Sequence, residues 1–410
     1  IAFVVRPDRP IARVELGPLA PIRAAIDAWR PILRLEQPAP QDEPSGPAAQ
    51  LQRLVWSPLE EHLTGVATVL VSPDGALGLV PLQALPGKAA GSYLIEDYTI
   101  ALVPVPRLFG DGEAVAAEGP KPATAQAEAP SLLLVGDVDY GGDPGVAPTL
   151  VASRSAARDA RADFAPLFER REGMRVEVSA IRDSFEEQFP GTQATLLRGG
   201  KATEEALRQM AGKYRYLHLA THGYFAPPEL RSALGPSDPA ARLGTDLFGA
   251  RGVAGFHPGL LSGLALAGAN VRPTPSGRDD GILTALEVAE LDLAKVQLAV
   301  LSACETGLGE VAGGEGLLGL QRAFQVAGAR AVVASLWTVP DISTQNLMAR
   351  FYENLWRKGL PPRVALRAAQ LEMLREGYRR GIVPLPADAS KPERVPPYYW
   401  AAFVLSTDRL

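Results

Sequence analysis

Residues 296–307 read Val-Gln-Leu-Ala-Val-Leu-Ser-Ala-Cys-Glu-Thr-Gly, an apolar run that leads to Cys304, the single cysteine of the chain. A second apolar run, residues 216–220, is followed in the same way by Thr-His-Gly at residues 221–223. Short, fully apolar runs that turn on glycine predict buried strands of a parallel sheet. Reactive groups in such sheets collect beyond the carboxyl ends of the strands. The two runs therefore predict a thiol and an imidazole at one catalytic edge, the arrangement of a cysteine hydrolase.

Cys304 and His222 each also fit a purely structural role. A buried cysteine at a strand end is most often a small apolar residue, and a lone histidine on an apolar strand is most often structural. Their shared setting, an apolar strand followed by a glycine turn, favours catalysis. The backbone amides of Gly223 and Cys304 would then face a developing oxyanion. His218 alternates onto the same side of its strand as His222, and we favour a hydrogen-bonded structural role for it over lining the crevice.

Composition and charge argue against several classes of protein. Hydrophobic residues make up 47% and charged residues 21% of the 410, as in a globular protein with a sizeable core. A net charge of −5 without basic blocks argues against a nucleic-acid partner, and no apolar run is long enough to cross a membrane. One cysteine forms no internal disulfide, so we expect a cytoplasmic protein. Histidines without metal-ligand spacing, and glycine-rich residues 307–319 without a phosphate-loop lysine, lead us to expect no metal and no cofactor.

Residues 1–130 are predicted to be an N-terminal α/β portion that ends in a flexible linker at residues 110–130, which are rich in Ala, Glu, Pro and Gly. The chain begins inside a strand-like run with Ile1 rather than with methionine, so we expect a piece of a longer protein. The elements expected here are a hairpin turning at residues 6–10, a helix over residues 19–36, and a second hairpin pairing residues 66–71 with residues 78–82.

Residues 131–410 are predicted to be a second domain, in which apolar strands alternate with helices. Such alternation implies a mostly parallel central sheet with helices on both faces. One of the helices is expected at Phe164–Phe168. Residues 226–281 are rich in glycine and proline and are predicted to be an insertion into this domain.

Several separated blocks resemble the hallmark sequences of CHAT-domain proteins, which are caspase-like cysteine peptidases related to separase. The likeness runs over roughly residues 51–405, and more weakly from residue 1. Three blocks carry most of it: Leu-His-Leu-Ala-Thr-His-Gly at residues 217–223, Leu-Ser-Ala-Cys-Glu-Thr-Gly at residues 301–307, and Ala-Ser-Leu-Trp at residues 334–337. Further blocks are Gly-Ile-Leu-Thr-Ala at residues 281–285, Gly-Glu-Gly at residues 314–316 and Tyr-Tyr-Trp-Ala-Ala-Phe at residues 398–403.

The resemblance implies a caspase-like three-layer α/β sandwich for residues 131–410, with residues 1–130 as a pseudo-caspase-like or accessory portion. It implies a dyad that hydrolyses peptide bonds, with His222 as the base, Cys304 as the nucleophile, and the amides of Gly223 and Cys304 as oxyanion donors. Caspases proper carry Gln-Ala-Cys at the nucleophile, with the histidine closer in sequence. The Ser-Ala-Cys block and the longer interval in this chain argue against caspase-type specificity for aspartate.

The resemblance also implies how a substrate would bind. The segment Ser335, Leu336 and Trp337 would pair with an extended peptide by adding a strand. Asp341 aligns with the separase acid that receives a basic P1 side chain, and Glu305 is a weaker candidate for the same pocket. Asp341 fits equally well as the N-cap of the helix that follows it.

Three functions remain open at this point. The leading one is a cytoplasmic, bacterial cysteine endopeptidase that cleaves a partner protein after a basic residue and is regulated by an upstream TPR or sensor region. The second is a catalytically silent interaction scaffold with the same fold. The third is a non-proteolytic acyl hydrolase that uses the same dyad. The expected partner is a protein substrate bound as an extended strand, with no nucleic acid and no membrane involved.

Overall fold

The structure, a computed structural model, describes residues 1–7, 9–37, 46–104, 106, 129–141, 168–225, 257–271, 279–302, 316–384 and 394–407. The chain divides into two compact units. The first combines Ile1–Val103 with Ile342–Val404, and the second combines Pro104–Asp341 with Leu405–Leu410. The domain boundary predicted at residue 130 stays a prediction. Among the helices that the structure describes, none has the length and apolar character needed to cross a membrane.

The first part of the chain, in the first unit, forms a hairpin, a long helix and two parallel strands. Its elements are β1 (Ala2–Arg6), β2 (Arg9–Val14), α1 (Leu19–Leu33), α2 (Pro47–Leu51), β3 (Thr68–Val71), α3 (Leu94–Asp97) and β4 (Thr99–Leu102). Strands β1 and β2 pair antiparallel, which confirms the first predicted hairpin. Helix α1 buries Ile22, Ile26, Trp29 and Leu33, a spacing that puts them on one face, and this confirms the helix predicted there.

The second predicted hairpin is wrong. Strand β3 pairs in parallel with β4, with Val69 opposite Ile100, and Gly75–Leu79 forms a 3-10 helix in place of a returning strand. The Ser-Pro-Asp-Gly turn at residues 72–75 is typical of hairpins, but the apolar residues after it indicate only that this segment is partly buried. Helices and strands bury short apolar runs equally well, so such a run does not identify its partner.

The second unit alternates strands and helices, and this confirms the α/β class. Its elements are β5 (Ser131–Val138), α4 (Glu172–Gln188), β6 (Gln193–Gly199), α5 (Glu204–Met210), β7 (Tyr216–Leu219), β8 (Gly223–Phe225), β9 (Ser262–Ala265), β10 (Ile282–Thr284), α6 (Ala285–Ala289), β11 (Leu298–Leu301), α7 (Gly316–Val326) and β12 (Ala331–Ser335). Strands β12, β11, β7, β5 and β6 lie side by side in that order, and each pairs in parallel with its neighbour. Strand β11 is buried along its whole length, as expected for a parallel sheet flanked by helices.

A smaller sheet lies in the second unit after β7. Strand β9 is its middle strand and pairs antiparallel with both β8 and β10. Strand β9 falls inside the predicted insertion at residues 226–281, of which the structure describes residues 257–271 and 279–281. The described part of the insertion therefore contributes a buried strand next to the residues that follow β7.

Helix α4 was not predicted from the sequence. It buries Met174, Val178, Ile181 and Phe185, an apolar pattern of helical period. The helix predicted at Phe164–Phe168 is wrong at Phe168, which lies outside any helix, and residues 164–167 lie outside the described part of the chain.

The chain then passes through α8 (Asp341–Tyr352), α9 (Pro362–Glu376) and α10 (Pro397–Trp400) to β13 (Phe403–Thr407). Strand β13 contributes Phe403 and Val404 to the first unit, where it neighbours β4, and its later residues to the second. In the second unit it runs beside β12, and Ser406 Oγ donates a hydrogen bond to the Val332 carbonyl at 3.3 Å.

Candidate active site

Three strands of the second unit end side by side at the candidate site. Leu219 of β7 is in register with Leu301 of β11, and Leu301 is in register with Ala334 of β12. His222 comes three residues after Leu219 in the chain. Cys304 and Glu305, the predicted nucleophile and the weaker pocket candidate, lie outside the described residues.

His222 lies in a closed pocket of aromatic rings and backbone. It is 3% exposed. The Phe168 ring stacks on the imidazole at 5.6 Å and 29°, and the Tyr140 ring lies 5.3 Å away at 51°. His222 Nε2 lies 2.7 Å from the carbonyl oxygen of Glu169. A backbone carbonyl therefore orients the ring, in the place that an acidic side chain takes in many triads.

The carbonyl partner fixes the tautomer of His222. A carbonyl only accepts, so Nε2 must carry the proton, and in the neutral ring the lone pair is on Nδ1. Nδ1 is buried and has no hydrogen-bond partner among the described residues. Burial lowers the pKa of His222 below its ordinary value of 6.5; the Glu169 carbonyl opposes the shift and the Arg171 charge adds to it. The ring is therefore a neutral base whose Nδ1 accepts no hydrogen bond from the residues that the structure describes.

The residue before His222 is anchored on both sides. Thr221 Oγ1 donates to the Ala265 carbonyl and lies 3.0 Å from the Tyr140 hydroxyl. The His222 carbonyl accepts from Ala265 N at 2.9 Å. Burial raises the pKa of Tyr140 to about 12, so its hydroxyl keeps its proton at all ordinary pH values. These bonds tie the end of β7 to the end of β9 and hold His222 in place.

His218 is fully buried in β7, with its Nε2 3.1 Å from Oε1 of Glu177 in α4. The two groups are at ion-pair distance but are not aligned as a hydrogen bond. Both side chains are shielded from solvent, so His218 faces the packed side of the sheet at α4. This placement favours the structural role predicted for it.

The predicted substrate-binding segment is buried. Ser335, Leu336 and Trp337 are 1%, 5% and 4% exposed, and Ser335 Oγ donates to the Trp337 carbonyl at 2.6 Å. Strand β12 has β11 on one side and β13 on the other. Strand addition would therefore have to use the backbone after Ser335, beyond the paired part of the sheet.

Asp341 is the first residue of α8 and is exposed. Its carboxylate lies against the backbone of Gly173 in the first turn of α4, in the space that a Cβ on that glycine would fill. The positive end of the α4 dipole favours an anion at this position.

Gly223, the predicted oxyanion donor, is the first residue of β8 and directly follows His222.

Sequence reasoning missed the residues that contact the His222 ring, namely Tyr140, Phe168 and Glu169. Glu169 acts through its carbonyl, which every residue type carries, so no side-chain pattern marks it. The apolar period of α4 would have predicted a helix packed on the sheet, with residues 168–171 directly before it. Among the described residues, no group of three or more His, Cys, Asp or Glu side chains is arranged to hold a metal ion.

Comparison with known proteins shows which protein family this sequence matches. The sequence profile of the CHAT domain matches residues 45–408. Tetratricopeptide repeat protein 28 of Mus musculus is 26% identical over 289 residues, which are 69% of this chain and 10% of that protein. The Homo sapiens protein of the same name is 38% identical over 74 residues, 18% of this chain and 3% of that protein. The chain thus spans about a tenth or less of the length of these curated relatives.

Among solved structures, the chain is similar to a chain of the Saccharomyces cerevisiae separase–securin complex. The TM-score is 0.42 at 12% identity, with 88% of this chain and 16% of that chain covered.

Proposed function

Since the chain belongs to the CHAT domain family, we propose that it is a cysteine endopeptidase with His222 as base and Cys304 as nucleophile. The observation that carries the proposal is a ring whose Nε2 is held by a carbonyl and whose buried Nδ1 has no hydrogen-bond partner within the described part of the chain. The register adds support, because Cys304 follows Leu301 by the same three residues that separate His222 from Leu219. Neighbouring strands lie about 4.8 Å apart, so chain ends in register start close together.

The mechanism follows from the free lone pair. His222 Nδ1 takes the proton of Cys304 Sγ, and the thiolate attacks the scissile carbonyl carbon while an electron pair moves onto the oxygen. The amides of Gly223 and Cys304 stabilise that oxyanion. When the C–N bond breaks, the imidazolium gives its proton to the leaving amine. A water molecule, deprotonated by His222, then hydrolyses the thioester and releases the acid and the thiol.

The substrate specificity follows from Asp341. An exposed carboxylate suits an arginine or lysine P1 side chain, with arginine preferred for its two-point hydrogen bonding. Its position against Gly173 fixes the carboxylate rather than leaving it free on the surface. Glu305 is the weaker candidate for the same role, and the backbone around Leu336 and Trp337 pairs with the extended peptide.

The proposed partners are a protein substrate and a regulatory repeat region. The likeness to a protein named for tetratricopeptide repeats supports the proposal that a TPR or other sensor region upstream controls the peptidase. The proposed setting is cytoplasmic and bacterial, and the reaction as written uses no cofactor.

The test compares peptides with Arg, Lys or Asp at P1, using the wild type and the variants Cys304→Ala and His222→Ala. We expect cleavage after Arg and Lys, and a loss of at least about 10³-fold in kcat/KM for either variant. His62→Ala is the matched control, because it removes another imidazole, and it should keep full activity. A preference for Asp at P1 would refute the role of Asp341.

Labelling of new protein N-termini in cells that express wild type or Cys304→Ala then identifies the natural substrate. Fragments that appear only with the wild type support the endopeptidase. If Cys304→Ala supports every cellular activity of the chain, the protein is a silent scaffold instead. Hydrolysis of small esters without cleavage of any peptide would point to an acyl hydrolase.

A further inference from the structure

The side-chain amide of Asn270 holds the backbone of Phe168 at two points. Its Oδ1 accepts from Phe168 N at 2.8 Å, and its Nδ2 donates to the Phe168 carbonyl at 2.8 Å. The amide thus uses one donor and one acceptor, as a neighbouring strand would. Only an amide side chain offers both groups at this spacing.

Asn270 is itself held firmly. Its backbone N donates to the Tyr140 carbonyl at 2.8 Å, and the neighbouring Gly268 N donates to the Asp139 carbonyl at 3.2 Å. Asn270 belongs to a turn that follows β9. Within this turn, Val271 N donates a hydrogen bond to the Gly268 carbonyl at 2.8 Å. The clamp on Phe168 therefore joins two fixed parts of the second unit.

Phe168 leads directly to the groups that orient His222. Its ring stacks on the imidazole, and the next residue, Glu169, supplies the carbonyl for Nε2. We propose that Asn270 is a positioning residue for catalysis: its amide fixes residues 168–169, and these hold His222 in the Nε2–H tautomer, which leaves the lone pair on Nδ1. The catalytic consequence rests on the proposed function, whereas the effect on the tautomer does not.

The first measurement is ¹⁵N NMR of the two imidazole nitrogens of His222 in the full chain. The wild type should show a protonated Nε2 and an unprotonated Nδ1. In Asn270→Ala both bonds to Phe168 are lost, and we expect both resonances to move toward the average of the two tautomers. Asn346→Ala is the matched control, because the Asn346 amide also donates to a backbone carbonyl, that of Ile342 at 2.7 Å. It should leave both resonances unchanged.

Phe168→Leu separates the ring from the backbone clamp. It removes the stacked ring but keeps the Phe168 N–H and carbonyl on Asn270, so the Nε2–H tautomer should persist. If Asn270→Ala fails to fold, Asn270→Ser is used instead, since its hydroxyl can make only one of the two bonds. Circular dichroism and thermal melting establish which variants fold.

The second measurement is kinetic. In folded Asn270→Ala, kcat for an Arg-P1 peptide should fall about 10- to 100-fold with little change in KM, because misplacing a base slows chemistry rather than binding. A folded Asn270 variant with the wild-type tautomer and kcat would overturn the proposal. If the wild type hydrolyses nothing, the proposed function fails, and the NMR result still decides whether Asn270 positions His222.

Discussion

At the scale of single residues, His222 shows how the second unit prepares a base. Burial, the first and largest influence, lowers the pKa of the ring, and the positive charge of Arg171 lowers it further. The neutral ring therefore persists below pH 6.5, where an exposed histidine would be charged. Since the unfolded chain binds the proton more readily, the contribution of His222 to stability is full above pH 6.5. It is lost as the pH falls through the folded pKa.

Arg171→Gln removes the positive charge that disfavours the imidazolium, so we expect the pKa of His222 to rise. The measurement is an NMR pH titration of the ring in a Cys304→Ala background, which removes coupling to the thiol. Arg175→Gln is the control, because Arg175 is exposed and bidentate on Glu172 and does not contribute to the shift. A lowered pKa in Arg171→Gln, or an equal rise in the control, would contradict the electrostatic explanation.

The residues of the site divide into those that a sequence can predict and those that it cannot. His222 and Cys304 were selected by type and position, as reactive side chains after apolar strands before glycine. Glu169 was not, because a backbone carbonyl leaves no trace in residue identity. Asn270 lies within a glycine-rich segment predicted to be an insertion, and its contact with Phe168 joins residues that are 102 positions apart in the chain. Such a contact depends on the tertiary structure and leaves no local pattern in the sequence.

At the scale of elements, the sequence predicted a helix or strand correctly where its pattern of apolar residues fitted only one type of secondary structure. The buried strands β5, β7 and β11 were found because each is a short apolar run bounded by turn residues, and helix α1 was found because its apolar residues recur with the period of a helix. The segment after β3 was wrongly predicted to be a strand, because the turn residues before it fit a hairpin. The strand that pairs with β3 is β4, which comes later in the chain. Helix α4 carried its own signal but was overlooked.

Helix α4 also gives a test of the contact with Asp341. In a helix, Gly→Ala usually adds about 1 kcal/mol of stability. At Gly173 the new Cβ would collide with the Asp341 carboxylate, so we expect Gly173→Ala to lower the free energy of unfolding by about 1–3 kcal/mol. It should also weaken cleavage after Arg, because the carboxylate must move. Urea unfolding and peptide assays measure the two effects.

Gly200→Ala is the matched control for Gly173→Ala, because a Cβ there meets nothing within 4 Å. It should leave stability and cleavage near wild type. If Gly173→Ala raised the melting temperature as an ordinary helix substitution does, the close contact between Gly173 and Asp341 would be wrong.

At the scale of the whole molecule, a buried carboxylate cluster contributes to the pH dependence of stability; it is formed by Glu204, Asp279, Asp280 and Glu287 around Arg208. Arg208 lies at ion-pair distance from three of these carboxylates, including Asp279 at 3.0 Å and Glu287 at 3.2 Å. Asp280 Oδ1 accepts from Ile282 N at 3.0 Å. All four acids are less than a tenth exposed, so they form a set of carboxylates that is shielded from solvent.

Burial and the neighbouring carboxylates shift the titration of Glu204. Burial, then repulsion by Asp280, Glu287 and Asp279, raises its pKa from 4.5 to about 8. Burial works to lower the pKa of Arg208, but the surrounding carboxylates raise it, so the arginine stays charged. The folded chain therefore holds a proton that the unfolded chain releases. The stability from this proton is full below pH 4.5 and is lost as the pH rises through about 8.

Asp280→Asn tests this linkage, because it removes the like charge that contributes most to the shift while keeping Oδ1 to accept from Ile282 N. We expect the pKa of Glu204 to fall, so the melting temperature should decline less steeply between pH 4.5 and about 8 than in the wild type. Asp292→Asn is the control: Asp292 is also an aspartate whose Oδ1 accepts from the amide two residues on, Ala294 N at 3.3 Å, but it is exposed. Calorimetry across this range should show the wild-type slope for Asp292→Asn. An unchanged or steeper slope for Asp280→Asn would mean that the cluster does not hold the proton. Any loss of stability toward higher pH would then arise elsewhere in the chain.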